Sequence, residues 1–384
     1  MIYFDQAASS FPKPSEVTSA MVKVMNEAAA NPGRGSHQLA RKANDIINDA
    51  RETISNWIGC SNPKHVLFYS NATIALNQAI KGLNWKKGDH VITTTFEHNA
   101  VRRPLEYIKR KYGINISYIS GNLDKDAFIN KVRKEISDQT RLLVINHASN
   151  VTGDLMPLVD LTTLAKEHNL ITLVDASQTI GHLPIDMEKQ GIDMLAFPGH
   201  KGILGPQGTG VLAVKEKLNL IPLHHGGTGV FSETIEQPDK WPEKYESGTL
   251  NTPGIAGLAA AVQLMRLQGN NNVSRETMLI NKLLKGLKQI DGVTCYGPSE
   301  SDERLPIVAF NIANIPSQEI AMVLDSHYNI AVRSGLHCSP LAHETLNTME
   351  QGVVRASLSR YNTEEEVESF LHAIKEIVMA YNGI

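Results

Sequence analysis

An α/β fold, built on an open and mostly parallel sheet and followed by a smaller α+β unit, is what this sequence predicts. Three observations predict it. Ile171 to Val174 is an apolar run of strand length that ends in an acid, Asp175. Asp193 to Phe197 is a second such run, and it leads into Pro198-Gly199-His200-Lys201-Gly202. Runs of this kind read as buried strands, and open α/β sheets bind ligands beyond the carboxyl ends of their strands. The 26 residues from Asp175 to Lys201 leave room for one crossover between parallel strands. Third, the pattern changes at Gly254, where strand–helix alternation gives way to two long helical stretches and then short strands.

Bulk properties narrow the function. A chain of 384 residues is too long for one ordinary core and suits two domains. A hydrophobic content of 42% with 20% charged residues is that of a soluble globular protein. The net charge of −3, from 37 basic and 40 acidic residues, suggests neither a nucleic-acid nor a membrane surface. No apolar run approaches the length of about 18 residues that a spanning helix needs. The segment Met1 to Asp5 lacks a basic stretch and an apolar core, so a signal peptide is not expected and a cytoplasmic location is. Cys60, Cys295 and Cys338 are scattered and without CxxC spacing, which argues against a disulfide framework and against a bound metal.

Taken in order, Asp5 to Ser10 is a run of small residues suited to close packing against a ligand or another chain. Helical periodicity covers about 15–29, and Asn31 to Gly35 breaks it. A second helix is expected over about 37–57, with Leu39, Ala43, Ile46, Ile47, Ala50 and Ile54 on one face. Strands are expected at 65–69, 89–94, 114–119 and 142–146, and a helix at 157–168. Gly205 to Gly210 is a tight turn into a strand at 211–214. It lacks GK[ST] and opens no helix, so P-loop and dinucleotide readings are rejected. Residues 219–253 have little periodicity, as in a functional or interface segment. Beyond them come helices at 254–268 and 272–290, strands at 292–296 and 306–311, a helix at 317–325, and strands at 329–333 and 353–358. Thr363 and Glu366 form a capping box ahead of a last helix whose apolar face is Val367, Phe370, Leu371, Ile374, Ile377 and Val378.

The chemistry-bearing residues fall at the ends of these elements. Pyridoxal phosphate takes a lysine onto its aldehyde and an aspartate against its pyridinium nitrogen, which are the roles open to Lys201 and Asp175. Ser70-Asn71-Ala72-Thr73, between a strand and a helix, is an anion site for a phosphate or an ordinary N-cap. His98, just past a strand, either lies over a flat ring or is a solvated loop residue. Asn150 either donates to a phenolic oxygen or stabilises a turn. Arg355, inside a strand-like apolar run, needs an anion, either a substrate carboxylate or an internal acid. Cys60 and Cys295 read as small apolar fillers. The Gly, His, Ser and Pro neighbours of Cys338 predict exposure on a mobile loop, with Arg333 and His337 lowering its thiol pKa.

With these residues in hand, the chain resembles the class V group of fold-type I pyridoxal-phosphate enzymes, and within it a cysteine desulfurase of the Suf-type branch. The resemblance runs from Tyr3-Phe4-Asp5-Gln6-Ala7-Ala8 to Arg355-Ala356-Ser357-Leu358. Its most specific segments are Gly199-His200-Lys201, Arg333-Ser334-Gly335-Leu336-His337-Cys338 and the closing Arg-Ala-Ser-Leu. It implies a seven-stranded, mostly parallel sheet in a large domain of residues 14–255. Residues 1–13 and 256–384 then form a small domain carrying the Cys338 loop. It implies a homodimer with shared active sites, L-cysteine as substrate and pyridoxal 5'-phosphate as cofactor.

Residue by residue, the resemblance makes Lys201 the aldehyde-bound lysine and Asp175 the pyridinium partner. It sets His98 on the ring and Asn150 and Gln178 near the phenolic oxygen. Ala72, Thr73 and His200 match phosphate ligands, and Thr249 one given by the other subunit. Arg355 matches the carboxylate clamp, with Arg333 a second basic group. Cys338 matches the sulfur-accepting thiol, which passes its sulfur to an acceptor protein in iron–sulfur cluster assembly. Two departures stand out: Pro198 where the family often has serine, leaving Ser70 or Asn71 to substitute as phosphate donor, and Leu336 where it often has histidine. The competing readings are a selenocysteine lyase or class V aminotransferase, a catalytically silent relative that binds a sulfur-handling partner, and an NAD-binding protein disfavoured by the missing glycine fingerprint.

Overall fold

A computed structural model describes residues 1–33, 35, 37–268, 271–300 and 303–382. The short strand β1 (Ile2–Tyr3) precedes two helices, α1 (Ser15–Glu27) and α2 (Gln38–Trp57). Arg34, in the break between these helices, lies outside the described residues. Ala43, Ile47, Ala50 and Ile54 of α2 are buried as expected. Leu39, expected on the same face, is 52% exposed: it sits in the first turn, beyond the edge of the core.

Strand and helix then alternate through β2 (Val66–Tyr69), α3 (Ala72–Lys81), β3 (His90–Thr94), α4 (Asn99–Tyr112), β4 (Asn115–Ile119), α5 (Lys125–Glu135), β5 (Thr140–Asn146), α6 (Leu158–Glu167) and β6 (Ile171–Asp175). Strands β7 (Met194–Pro198) and β8 (Gly210–Val214) follow. Together they form a seven-stranded sheet of order β2-β8-β7-β6-β5-β3-β4. The five strands from β7 to β4 pair in parallel, and β8 runs antiparallel to β7 and β2. The fold class and strand count expected of the large sheet are therefore met. Alternate residues feed two cores. Leu142, Val144 and Leu173 face one, and Leu143, Ile145 and Val174 the other. Burial on both faces explains the continuous apolar runs, each fully buried side chain contributing roughly 1.5–3 kcal/mol.

Beyond the irregular segment come α7 (Thr252–Gln268), α8 (Asn271–Lys288), β9 (Val293–Tyr296), β10 (Ile307–Ile312), α9 (Ser317–Tyr328), β11 (Ile330–Ala331), β12 (Arg333–Gly335), α10 (Pro340–Thr345), β13 (Val353–Ser357) and α11 (Glu364–Asn382). Strands β12, β13, β10 and β9 make an antiparallel sheet in that order. The strand expected at 329–333 is split: β11 pairs with β1, and β12 with β13. Helix α7 packs Ile255, Leu258 and Val262 into the large-sheet core. A third core, beneath the antiparallel sheet, instead collects Phe4, Leu283, Phe310, Ile330, Val354 and Phe370. The Thr363–Glu366 box closes as expected, the Glu366 carboxylate accepting the Thr363 N–H at 3.1 Å and the Thr363 hydroxyl accepting the Glu366 N–H at 3.3 Å.

Candidate active site

A cavity of about 230 Å³ opens at the carboxyl ends of the parallel strands. Ten of the expected residues line it: Ala72, Thr73, His98, Asn150, Asp175, Gln178, His200, Lys201, Arg333 and Arg355. Asp175 ends β6 and is buried, with Oδ1 accepting the Ser177 N–H at 2.9 Å. Lys201 follows the turn after β7. Burial lowers its amine to about 8, against the opposing pull of Asp175. A basic amine is thus partly neutral near physiological pH, and it faces a fixed carboxylate.

The next wall is the start of α3. The Asn71 side chain caps it through the Ile74 N–H, at 3.0 Å. The first-turn N–H groups of Ala72 and Thr73 have no acceptor within the helix. Strand β8 begins with glycine because it passes directly beneath this turn: a Cβ on Gly210 would lie 2.3 Å from the Asn71 carbonyl carbon. His200 adds a buried Nδ1 with no hydrogen-bond partner among the described residues. Pro198 lines the cavity and brings no donor. Asn71 reaches the cavity lining and Ser70 does not.

His98 caps α4, its Nδ1 accepting the Ala100 N–H at 3.0 Å. That bond places the ring proton on Nε2. Burial, then Lys201, pushes the imidazole down to about 4, so it is neutral. Behind it, Glu97 is fully buried, with Oε1 held by the Thr94 hydroxyl and the Asn146 N–H at 3.2 and 3.0 Å. Burial and then Asp175 raise its carboxyl to about 8. The sequence reading passed over this acid. Its signal is an acid next to the ring histidine at the end of an apolar strand.

Across the cavity, Arg355 and Arg333 stand opposite one another in the β12–β13 register. The buried Arg355 donates to Asp5 Oδ1 and to the Asn150 carbonyl, both at 2.8 Å, while its Nε has no partner among the described residues. An internal acid therefore takes one edge of the guanidinium. Among the described residues no acid pairs with Arg333. Two cations and one carboxylate leave this wall one negative charge short. Asp5 was not singled out beforehand, since its partner lies 350 residues away.

Cys338 lies at the rim and is exposed, next to the cavity-lining His337. Its loop is tied to the body by two bonds: Asn99 N–H donates to the Cys338 carbonyl at 2.7 Å, and Asn150 Nδ2 to the His337 carbonyl at 2.8 Å. One expectation about the loop is corrected. His337 cannot lend the thiol a positive charge. Its ring is buried and bonds to the Val353 carbonyl at 3.1 Å. Burial pushes its pKa down to about 2, with Arg355 adding to the shift. Cys60 and Cys295 are half-buried, and burial raises both thiols, that of Cys295 to about 11. They fit the filler reading.

Thr249 is not brought to the cavity. It is exposed, near Asn31 at 3.5 Å, beside a separate hollow of about 610 Å³ lined by Gly33, Val230, Gly248 and Leu250. Gln178 lines the cavity and spends one amide hydrogen on the Ala7 carbonyl at 3.1 Å.

An amine facing an acid, a neutral imidazole, unpaired helix N–H groups, an orphaned ring nitrogen and an unbalanced pair of arginines fit a phosphorylated aromatic aldehyde together with an α-amino acid. Fold and site thus define a pyridoxal-phosphate α/β enzyme. The sequence matches the class-V aminotransferase family over residues 2–370. A probable cysteine desulfurase of Methanothermobacter thermautotrophicus is 34% identical over 98% of this chain and 94% of its own length. A cysteine desulfurase of Escherichia coli K12 is 32% identical over 98% and 93%. The apo structure of a cysteine desulfurase from Thermococcus onnurineus NA1 superimposes with a TM-score of 0.92 at 32% identity, covering 99% of this chain and 95% of that one. The chain belongs to the class-V aminotransferase family, whose cofactor is pyridoxal 5'-phosphate.

Proposed function

We propose that this protein is a cysteine desulfurase of the Suf-type branch, converting L-cysteine to L-alanine and leaving the sulfur as a persulfide on Cys338. The observation that carries the reading is one exposed thiol at the rim of a cavity lined by Lys201, Asp175 and two arginines. The names of the relatives support it. When bound, the cofactor supplies an electron sink for the pair left at the substrate Cα.

The protein's own residues do the rest. Asp175 would keep the ring nitrogen protonated. His98 would lie against the ring, with Asn150 and Gln178 toward its phenolic oxygen. The N–H groups of Ala72 and Thr73, with His200, would hold the phosphate, and Thr249 of a second copy would complete that cradle. Arg333, with the Arg355 guanidinium paired opposite it, takes the substrate carboxylate, which supplies the charge this wall lacks. Lys201 would hold the aldehyde, and its amine, buried and lowered to about 8, would serve as the base that takes the substrate Cα proton. Cys338 as thiolate bonds to the substrate sulfur while the Cβ–S bond breaks. The electron pair of that bond stays with the carbon fragment, which takes up protons and leaves as alanine. One thiol and one thiolate become a persulfide as Cβ is reduced, so no outside oxidant is needed.

The same reading makes the protein a cytoplasmic homodimer that hands sulfur to an acceptor protein for iron–sulfur cluster assembly. No helix among the described residues is long and apolar enough to cross a membrane. The outward placement of Thr249 and the exposed Val230, Phe231 and Ile235 support a second copy on that face. The proposal keeps two domains and moves the expected boundary at residue 255 to the end of α7: Ile255, Leu258 and Val262 of α7 pack into the large-sheet core, so residues 14–268 form the large domain and residues 1–13 with the chain beyond α7 the small one. The test is Cys338→Ala in the cofactor-loaded protein. Alanine and sulfide formation from L-cysteine should be lost. Undiminished formation of both would sink the persulfide role.

A further inference from the structure

We propose that Ser339 is a positioning residue for the Cys338 thiol, acting through the side-chain amide of Asn150. The proposal rests on the desulfurase reading and adds to it a residue that holds the nucleophile in place. Ser339 is fully buried, and its hydroxyl donates to Asn150 Oδ1 at 2.7 Å. The other end of that amide donates to the His337 carbonyl at 2.8 Å. One planar group therefore clamps the residues on both sides of Cys338.

The clamp has something to hold. His337 and Cys338 have φ of +48° and +58°, two consecutive non-glycine residues in the left-handed region. L side chains enter that region at a cost and stay only where neighbours over-determine the backbone. Here the neighbours are the Asn150 amide, the Asn99 N–H on the Cys338 carbonyl at 2.7 Å, and the turn bond from Ser339 N–H to the Leu336 carbonyl at 2.9 Å. The main chain of Asn150 is fixed in turn, its carbonyl accepting Arg355 Nη1 at 2.8 Å. An unbroken hydrogen-bonded path thus joins the carboxylate clamp to the sulfur-accepting loop.

Removing the Ser339 hydroxyl leaves Asn150 Oδ1 without that donor and frees the amide to turn. The His337 carbonyl then loses its hold, and the Cys338 backbone relaxes out of the left-handed region. The thiol would sit off the line of attack on the substrate sulfur, where small misplacements cost rate more than affinity.

The test uses cofactor-loaded Ser339→Ala with two substrates and dithiothreitol as sulfur acceptor. L-Cysteine needs the thiol. β-Chloro-L-alanine does not, because its chloride leaves unaided once Lys201 has taken the Cα proton. The variant should lower kcat for L-cysteine on the order of tenfold, leave KM within about twofold, and lower β-chloroalanine turnover by no more than about twofold, the part that a turned Asn150 amide accounts for. Alkylation of Cys338 by iodoacetamide, followed on its tryptic peptide, should change rate in step with kcat. An unaltered kcat for L-cysteine would overturn the proposal. So would a parallel loss with both substrates, which marks a merely structural role. Failure of the underlying reading shows separately, as Cys338→Ala retaining alanine formation from L-cysteine.

Discussion

The two walls of the cavity are built on different principles. One stands on the ends of β6 and β7, where each side chain follows its strand within a residue or three and the backbone is regular. Its charges are balanced, with Asp175 against Lys201 and a neutral His98 beside them. The other stands on β12, β13 and the 336–339 turn, where two arginines share one acid and the backbone at residues 337 and 338 is left-handed. The first wall is set by local sequence. The second is set by contacts between distant segments, Arg355 to Asp5 and Ser339 to Asn150. A balanced wall suits a resident cofactor, and a wall short of one anion suits a carboxylate that comes and goes.

The largest effect that would test this contrast is on the first wall. Lys201→Ala should lower alanine formation by about 10³-fold or more and abolish borohydride labelling of the protein. Survival of either would remove the amine from the chemistry.

On the second wall, Arg355→Ala should raise KM for L-cysteine roughly 10- to 100-fold, as expected for losing charged hydrogen bonds, with labelling at Lys201 intact. An unchanged KM would leave Asp5 as the only anion that Arg355 serves.

A smaller effect concerns Glu97, behind the first wall. Its carboxyl is raised to about 8 when folded, against an ordinary value of 4.5. Between those values the folded protein keeps a proton that the unfolded chain releases, so this group makes stability fall as pH rises through that window. Glu97→Gln should flatten the fall by up to about 1.4 kcal/mol per pH unit, read from denaturation midpoints between pH 5 and 8 of wild type and variant. Parallel curves would mean that Glu97 is ionised in the folded state.

The smallest effect lies outside both walls. Thr363→Ala should cost about 1 kcal/mol, seen as faster amide exchange in the first turn of α11, with kinetics on L-cysteine unchanged.

The same contrast explains what could be read from the sequence. The ends of β6 and β7, the α3 turn and the Thr363–Glu366 box are local patterns of period and capping, and all were legible. Helix α4 escaped the sequence reading because Pro104 and five basic residues interrupt its apolar spacing, although Val101, Leu105 and Ile108 are buried. Helix α5 escaped because it buries only Phe128 and Val132. The bonds that tie the Cys338 turn were not legible in its small, polar neighbours, because Asn150 lies 189 residues from Ser339. The charge expected of His337 failed because its burial beneath the loop depends on packing, which residue type does not disclose.

The pairing of β1 with β11 has a consequence for biosynthesis. Residues 2–7 are translated well before the segments they lodge between, at Ile330 and Ser357. Until the ribosome has released those segments, Asp5 has no guanidinium to meet and the pocket has no second side. An electrophile offered to stalled nascent chains should therefore meet a Cys338-bearing turn only after residues 2–7 have been captured.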